Sequence, residues 1–146
     1  MRPPWRCDRD RNKGSPGVPD PALYIAVVDD DPSVRKALAR LLSVADLAAA
    51  TFATGEDFLD SLQGRFPDCL MLDLHMPSMS GLDVLAALGR AHVRLPIVII
   101  TGRGPSEALR RSLASGASAC LVKPLDDELL LDTIHRVVGE VPKSTT

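Results

Sequence analysis

Five residues capable of chemistry each stand at the end of an apolar run. Asp29 and Asp30 follow Tyr24-Ile25-Ala26-Val27-Val28, and Asp73 follows Cys69-Leu70-Met71-Leu72. Thr101 closes Ile97-Val98-Ile99-Ile100, and Lys123 follows Ala119-Cys120-Leu121-Val122. Short apolar runs bounded by turn residues read as buried strands, and open α/β sheets place ligands outside the carboxyl ends of such strands. Crossovers between parallel strands are right-handed, so these ends share one sheet edge, and three carboxylates, a hydroxyl and an ammonium converge there. Two unit charges about 4 Å apart repel by about 4 kcal/mol at an effective dielectric near 20, in a domain stable by about 5–15 kcal/mol in total. Packing does not account for such clustering, and a hard divalent cation relieves it. Mg²⁺ takes oxygen ligands, keeps several waters and binds through one or two carboxylates plus a phosphate. Asp30 and Asp73 are the expected direct ligands, with Asp29 reaching the ion through water. A metal-bound carboxylate such as Asp73 can attack a phosphorus centre and hold an acyl phosphate, with Thr101 and Lys123 binding the phosphoryl oxygens. Singly, each residue has a plainer reading: Asp73 as a loop cap, Thr101 as a strand-end hydroxyl, Lys123 as a surface residue before Pro124. Those readings leave the joint placement at four strand ends unexplained.

The connecting segments carry helical periodicity. Asp31 suits an N-cap and Pro32 the first helical position. Val34, Ala37, Leu38, Leu41, Leu42 and Ala45 then form an inward stripe, with Arg35, Lys36 and Arg40 on the outer face. Ala48 to Phe52 is a weak, Ala-rich strand. Thr54-Gly55-Glu56-Asp57 reads as a capping box opening a helix through Phe58, Leu59 and Leu62, stopped by Gly64. Pro77 cannot continue a ladder, and Gly81, free to take unusual backbone conformations, leads a short helix with Leu82, Leu85 and Leu88. Ser106 caps a helix through Leu109 and Leu113 to Gly116, with Arg110 and Arg111 outward. The last helix starts near Asp126 and carries Leu130, Ile134, Val137, Val138 and Val141. Strand and helix alternate five times, which specifies a doubly wound α/β fold: a five-stranded parallel sheet with helices on both faces.

Composition excludes several classes of function. The 146 residues are 45% hydrophobic and 25% charged, with net charge −2, so there is no case for a nucleic-acid or membrane surface. Cys7, Cys69 and Cys120 are far apart and lack a CxxC, so buried free thiols are expected rather than a metal or disulfide framework. No membrane span or signal-peptide core is present, and a cytoplasmic location is expected. Residues 1–21 are rich in Pro and mixed charge, with little apolar beyond Trp5, and read as a disordered leader. Residues 22–141 form one domain, and residues 142–146 a short tail.

The segments VVDDDPSVR, MLDLHMPSMSGLDVL, IVIITG and GASACLVKPL resemble the receiver domains of two-component response regulators, the CheY-like superfamily, over residues 22 to about 140. Their flavour is that of receivers attached to LuxR- and FixJ-type regulators. The resemblance implies a flavodoxin-like strand order 2-1-3-4-5. It also implies that Asp29 and Asp30 are the acidic pair, Asp73 the phospho-acceptor, Thr101 the switch hydroxyl and Lys123 the phosphate-contacting lysine. The main-chain carbonyl of His75 is implied as a further Mg²⁺ ligand. A sensor histidine kinase or phosphotransfer protein is the implied donor. A downstream partner or second copy would engage the face formed by the fourth helix, fifth strand and fifth helix. Two positions depart from the family: Cys120 stands where Tyr or Phe is common, and Leu125 where Phe is frequent after Lys-Pro. They put the usual coupling of Thr to an aromatic ring in doubt. His75 and Arg103, each two residues beyond a functional position, are expected to flank the entry of attacking water.

The rival enzyme reading resembles the haloacid-dehalogenase phosphatases, with Asp29 as nucleophile and Asp31, Thr101, Lys123, Asp126 and Asp127 in support. It leaves Asp73 idle and places Lys123 and Asp126 on one loop. A pseudo-receiver used only for protein contacts is the other rival, and the complete set of acidic, hydroxyl and lysine residues opposes it. No basic recognition helix is present in the sequence, so direct DNA binding by this chain is not expected.

Overall fold

The structure, a computed structural model, describes residues 23–102 and 106–140. The expected leader and tail, Cys7, Arg103 and Val141 lie outside the described residues. Five parallel strands, β1 (Tyr24–Val28), β2 (Ala48–Phe52), β3 (Cys69–Asp73), β4 (Ile97–Thr101) and β5 (Ala119–Val122), form one sheet in the order β2-β1-β3-β4-β5. The connections are α1 (Pro32–Val44), α2 (Gly55–Ser61), α3 (Gly81–Arg90) and α4 (Glu107–Ala114), and α5 (Asp127–Glu140) follows the last strand. Central strands β1, β3 and β4 are buried along their whole length, as a sheet covered on both faces requires. The edge strands β2 and β5 are partly open, which is why their sequences are thinner in large apolar residues.

Alternation along the strands divides the core in two. Ala26, Val28, Leu70, Leu72, Ile97 and Ile99 face Phe58 of α2 and Val84, Leu85 and Leu88 of α3. Ile25, Val27, Cys69, Met71, Val98 and Ile100 face Leu38 and Leu42 of α1 and Leu130, Ile134 and Val137 of α5. Each fully buried Leu or Ile contributes about 1.5–3 kcal/mol relative to exposure, so the sheet is a rigid frame for whatever its carboxyl edge carries.

Local departures from the expected pattern have physical causes. In α4 it is Ser112 that turns inward, its hydroxyl donating to the Leu109 carbonyl at 2.7 Å, while Leu113 is 44% exposed. The Thr54 hydroxyl accepts from the Asp57 N–H at 3.1 Å, but the reciprocal half of that expected box is not formed among the described residues. A complete box closes α3 instead, with Ser80 Oγ accepting from Asp83 N–H and Asp83 Oδ2 from Ser80 N–H. Cys69 is buried as expected, whereas Cys120 on the edge strand is half-buried. Ala37 of the expected inward stripe is exposed.

Candidate functional site

The site is assembled by strand register. Val28 pairs with Leu72, so one step on Asp29 lies beside Asp73; Asp73 pairs with Ile100, and Thr101 with Val122 just before Lys123. The ladder runs past the strand ends, with Leu74 N–H donating to Ile100 and Lys123 N–H to Thr101 carbonyls at 3.0 and 2.8 Å. The carboxyl edge therefore carries all five expected residues together. Asp29, Asp73 and Thr101 are buried, Asp30 is exposed and Lys123 half-buried. Gly81 permits this closeness: a Cβ there would stand 2.8 Å from the Asp73 carbonyl oxygen and 2.9 Å from the Leu74 Cα. Its φ lies in the ordinary range, so close approach, rather than the freedom expected from sequence, is what requires glycine.

Asp29 is the hub. Its N–H donates to Phe52 O at 3.1 Å, its Oδ1 accepts from Asp31 N–H at 2.9 Å, and its Oδ2 lies 3.0 Å from the Lys123 ammonium. That ammonium is the sole compensation of the fully buried Oδ2 among the described residues. A ligand oxygen from each of Asp29, Asp30 and Asp73 lies within 4.8 Å of the others. Desolvation, followed by the charge of Asp29, pushes the Asp73 carboxyl up to about 6 from 3.8, against the pull of Lys123 and the His75 N–H, which donates to Asp73 Oδ1 at 3.2 Å. Desolvation pulls the Lys123 ammonium down, but close contact with Asp29 and the charges of Asp73, Asp29 and Asp31 outweigh it and raise its pKa. Crowded carboxylates, one with an under-compensated buried oxygen, fit a hard, oxygen-seeking divalent cation; the group includes no imidazole or thiolate that would favour a softer metal.

Of the phosphatase reading, Asp29, Thr101 and Lys123 stand in this cluster, but its supporting carboxylates Asp31, Asp126 and Asp127 are engaged elsewhere. Asp31 spends its carboxylate capping α1 through Ser33 N–H at 2.9 Å. Asp126 accepts from Glu128 N–H at 3.1 Å, and Asp127 begins α5 exposed to solvent. The Lys123–Pro124 peptide bond is cis. Arg35, expected on the outer face of α1, instead turns back, its guanidinium donating to the Asp29 carbonyl at 2.8 Å. Only its position one turn into the helix after Asp29-Asp30-Asp31-Pro32 could have signalled this.

A doubly wound sheet of order 2-1-3-4-5 with an acidic cluster, a hydroxyl and a lysine at its carboxyl edge defines the flavodoxin-like, CheY-like class of domain. The chain belongs to the response regulator receiver domain family, whose model matches residues 25–135. It is a receiver domain of the two-component response regulators. It is similar to Nodulation protein W of Bradyrhizobium diazoefficiens, 33% identical over 85% of this chain and 55% of that protein. It is also similar to the DNA-binding transcriptional regulator NtrC of Klebsiella pneumoniae, 36% identical over 77% of this chain and 24% of that protein. Among solved structures, a response regulator receiver protein from Burkholderia phymatum superimposes with a TM-score of 0.72 at 38% identity, covering 80% of this chain and 95% of that one. The chain thus spans between a quarter and about half of the curated relatives named here. Receiver domains are signalling domains that interact with histidine kinases or phosphotransfer proteins. No helix among the described residues is long and apolar enough to cross a membrane.

Proposed function

We propose that this domain accepts a phosphoryl group on Asp73 from the phosphohistidine of a sensor histidine kinase or phosphotransfer protein, and that the acyl phosphate switches its partner-binding face. The observation that carries this reading is the meeting of Asp29, Asp30 and Asp73 at one sheet edge with Lys123 against them. Asp30 and Asp73 would hold Mg²⁺ directly, Asp29 through water, with the His75 carbonyl as a further ligand. When bound, the ion neutralises the carboxylates and the charge of the phosphoryl oxygens. An Asp73 carboxylate oxygen attacks phosphorus in line, the P–O bond forms as the P–N bond breaks, and the electron pair returns to the donor imidazole. Lys123 and Thr101 bind the phosphoryl oxygens and are drawn inward by the new dianion, which biases a pre-existing two-state equilibrium.

The face of α4, β5 and α5 is the proposed output surface, and Leu113, Val122 and Leu129 are its exposed apolar residues. The domain turns over no external substrate in this reading, binds neither nucleic acid nor membrane through this chain, and works in the cytoplasm; residues 22–141 make up the receiver. His75, exposed two residues beyond Asp73, tunes the lifetime of the phosphoryl group, and an unchanged dephosphorylation rate in His75→Asn would contradict that role. Intact-protein mass after incubation with acetyl phosphate, with and without Mg²⁺, tests the main reading. A Mg²⁺-dependent adduct on wild type that is absent in Asp73→Asn is expected. An adduct kept in Asp73→Asn and lost in Asp29→Asn would favour the phosphatase reading, and no adduct with any donor would favour a pseudo-receiver.

A further inference from the structure

The acidic pair is held from behind by a residue that phosphoryl transfer itself does not use. Arg35 lies in the second turn of α1, half-buried, with one guanidinium nitrogen on the Asp29 main-chain carbonyl at 2.8 Å. The same turn is closed by Asp31 N–H on Asp29 Oδ1 and by Arg35 N–H on the Asp31 carbonyl at 3.1 Å. Of the groups that contact Asp29, the side chains are those of Lys123, on the under-compensated Oδ2, and Arg35, and Arg35 alone of the two does not belong to the cluster. Asp30, the next residue, is exposed and follows directly on the peptide whose carbonyl Arg35 grips.

We propose that Arg35 is a positioning residue for the metal-binding pair: by fixing the Asp29 peptide it presents the Asp29 and Asp30 carboxylates in the geometry a divalent cation needs. This rests on the reading of those carboxylates as cation ligands. Two effects oppose each other at Arg35, which gives the proposal a sign. As a positive charge held against the main chain of Asp29, Arg35 repels a cation bound by the pair, and its removal would tighten binding. As the donor that orients a ligand-bearing peptide, its removal loosens binding, by about tenfold or more for supporting residues of this kind.

The test is a calorimetric titration of Mg²⁺ into the EDTA-stripped full chain, for wild type, Arg35→Gln and Arg35→Lys, with thermal unfolding in EDTA beside it. Arg35→Gln is expected to bind Mg²⁺ about tenfold more weakly. Arg35→Lys, which keeps the charge but grips through a more flexible stem, is expected to fall between Gln and wild type, and it carries the test if Arg35→Gln does not fold. In acetyl phosphate labelling, the Mg²⁺ concentration for half-maximal rate rises while the limiting rate holds. Equal or tighter Mg²⁺ binding in either folded variant overturns the proposal, including the case in which stability in EDTA falls and affinity does not. Wild type that binds no Mg²⁺ is a different result, and overturns the receiver reading itself.

Discussion

Asp73 sits in a state of electrostatic tension that a cation or a proton relieves. Its carboxyl, raised to about 6 first by desolvation and then by Asp29, makes the folded domain bind a proton more readily than the unfolded chain. Without divalent ions, this residue therefore costs stability as pH rises from about 4 through about 6, and the full penalty stands above about pH 7. The rise corresponds to about 3 kcal/mol at most; the exposed Asp30 side admits water, and screening leaves about 1–2 kcal/mol. Asp73→Asn in EDTA is accordingly expected to be more stable than wild type by that amount at about pH 7.5, with the gain gone by about pH 4, read as denaturant midpoints across pH. A gain that does not depend on pH would contradict this origin. Cys69, whose thiol burial pushes up to about 12, is by contrast inert packing.

At the scale of elements, α3 and β3 meet through a missing side chain. Gly81→Ala would drive a Cβ into the Asp73 carbonyl and Leu74 Cα, both backbone and unable to yield. It is expected to lose about 1–3 kcal/mol and to slow labelling of Asp73. Gly89→Ala in the same helix meets nothing within 4 Å, and is expected to gain about 0.5–1 kcal/mol. Urea denaturation of both checks the contrast; equal effects would contradict it. These elements also show what the sequence made legible. The strands lie where the apolar, β-branched runs lie, because a sheet covered on both faces needs its central strands apolar throughout. The site was legible for a related reason: Asp29, Asp73, Thr101 and Lys123 each interrupt such a run at its carboxyl end. Arg35 was not, because helical periodicity assigns a side to a residue and is silent on a long side chain folding back over the helix start. Leu113, read as part of the apolar stripe with Leu109, is exposed while Ser112, three residues after Leu109, is buried, because the spacing of two leucines alone does not fix which face of a short helix turns inward; Cys120, on the edge strand, is half-buried.

At the scale of the molecule, phosphorylation has to reach a surface from an edge of the sheet. Thr101 and Lys123 are continuous in backbone with β4 and β5, and their carboxyl ends are bridged by the Lys123 N–H to Thr101 carbonyl bond. In the proposed function, a shift of either would be carried through this bond toward the α4–β5–α5 face. Sedimentation velocity with and without acetyl phosphate is expected to show a phosphorylation-dependent change in self-association, or in complex with a partner. Val122→Asp, at a position 49% exposed on β5, is expected to abolish that change while leaving labelling of Asp73 within about twofold, as for surface substitutions outside the site. Loss of labelling in Val122→Asp would contradict the separation of site from output. The central claim, that the cluster exists to phosphorylate Asp73, is tested most directly by trapping the acyl phosphate. Wild type labelled with acetyl phosphate and Mg²⁺, then reduced with borohydride, converts a phosphorylated aspartate to homoserine, and peptide sequencing by mass spectrometry locates it. Homoserine at position 73 alone, absent when Mg²⁺ is withheld, is the expected result; homoserine at position 29, or labelling indifferent to Mg²⁺, would contradict it.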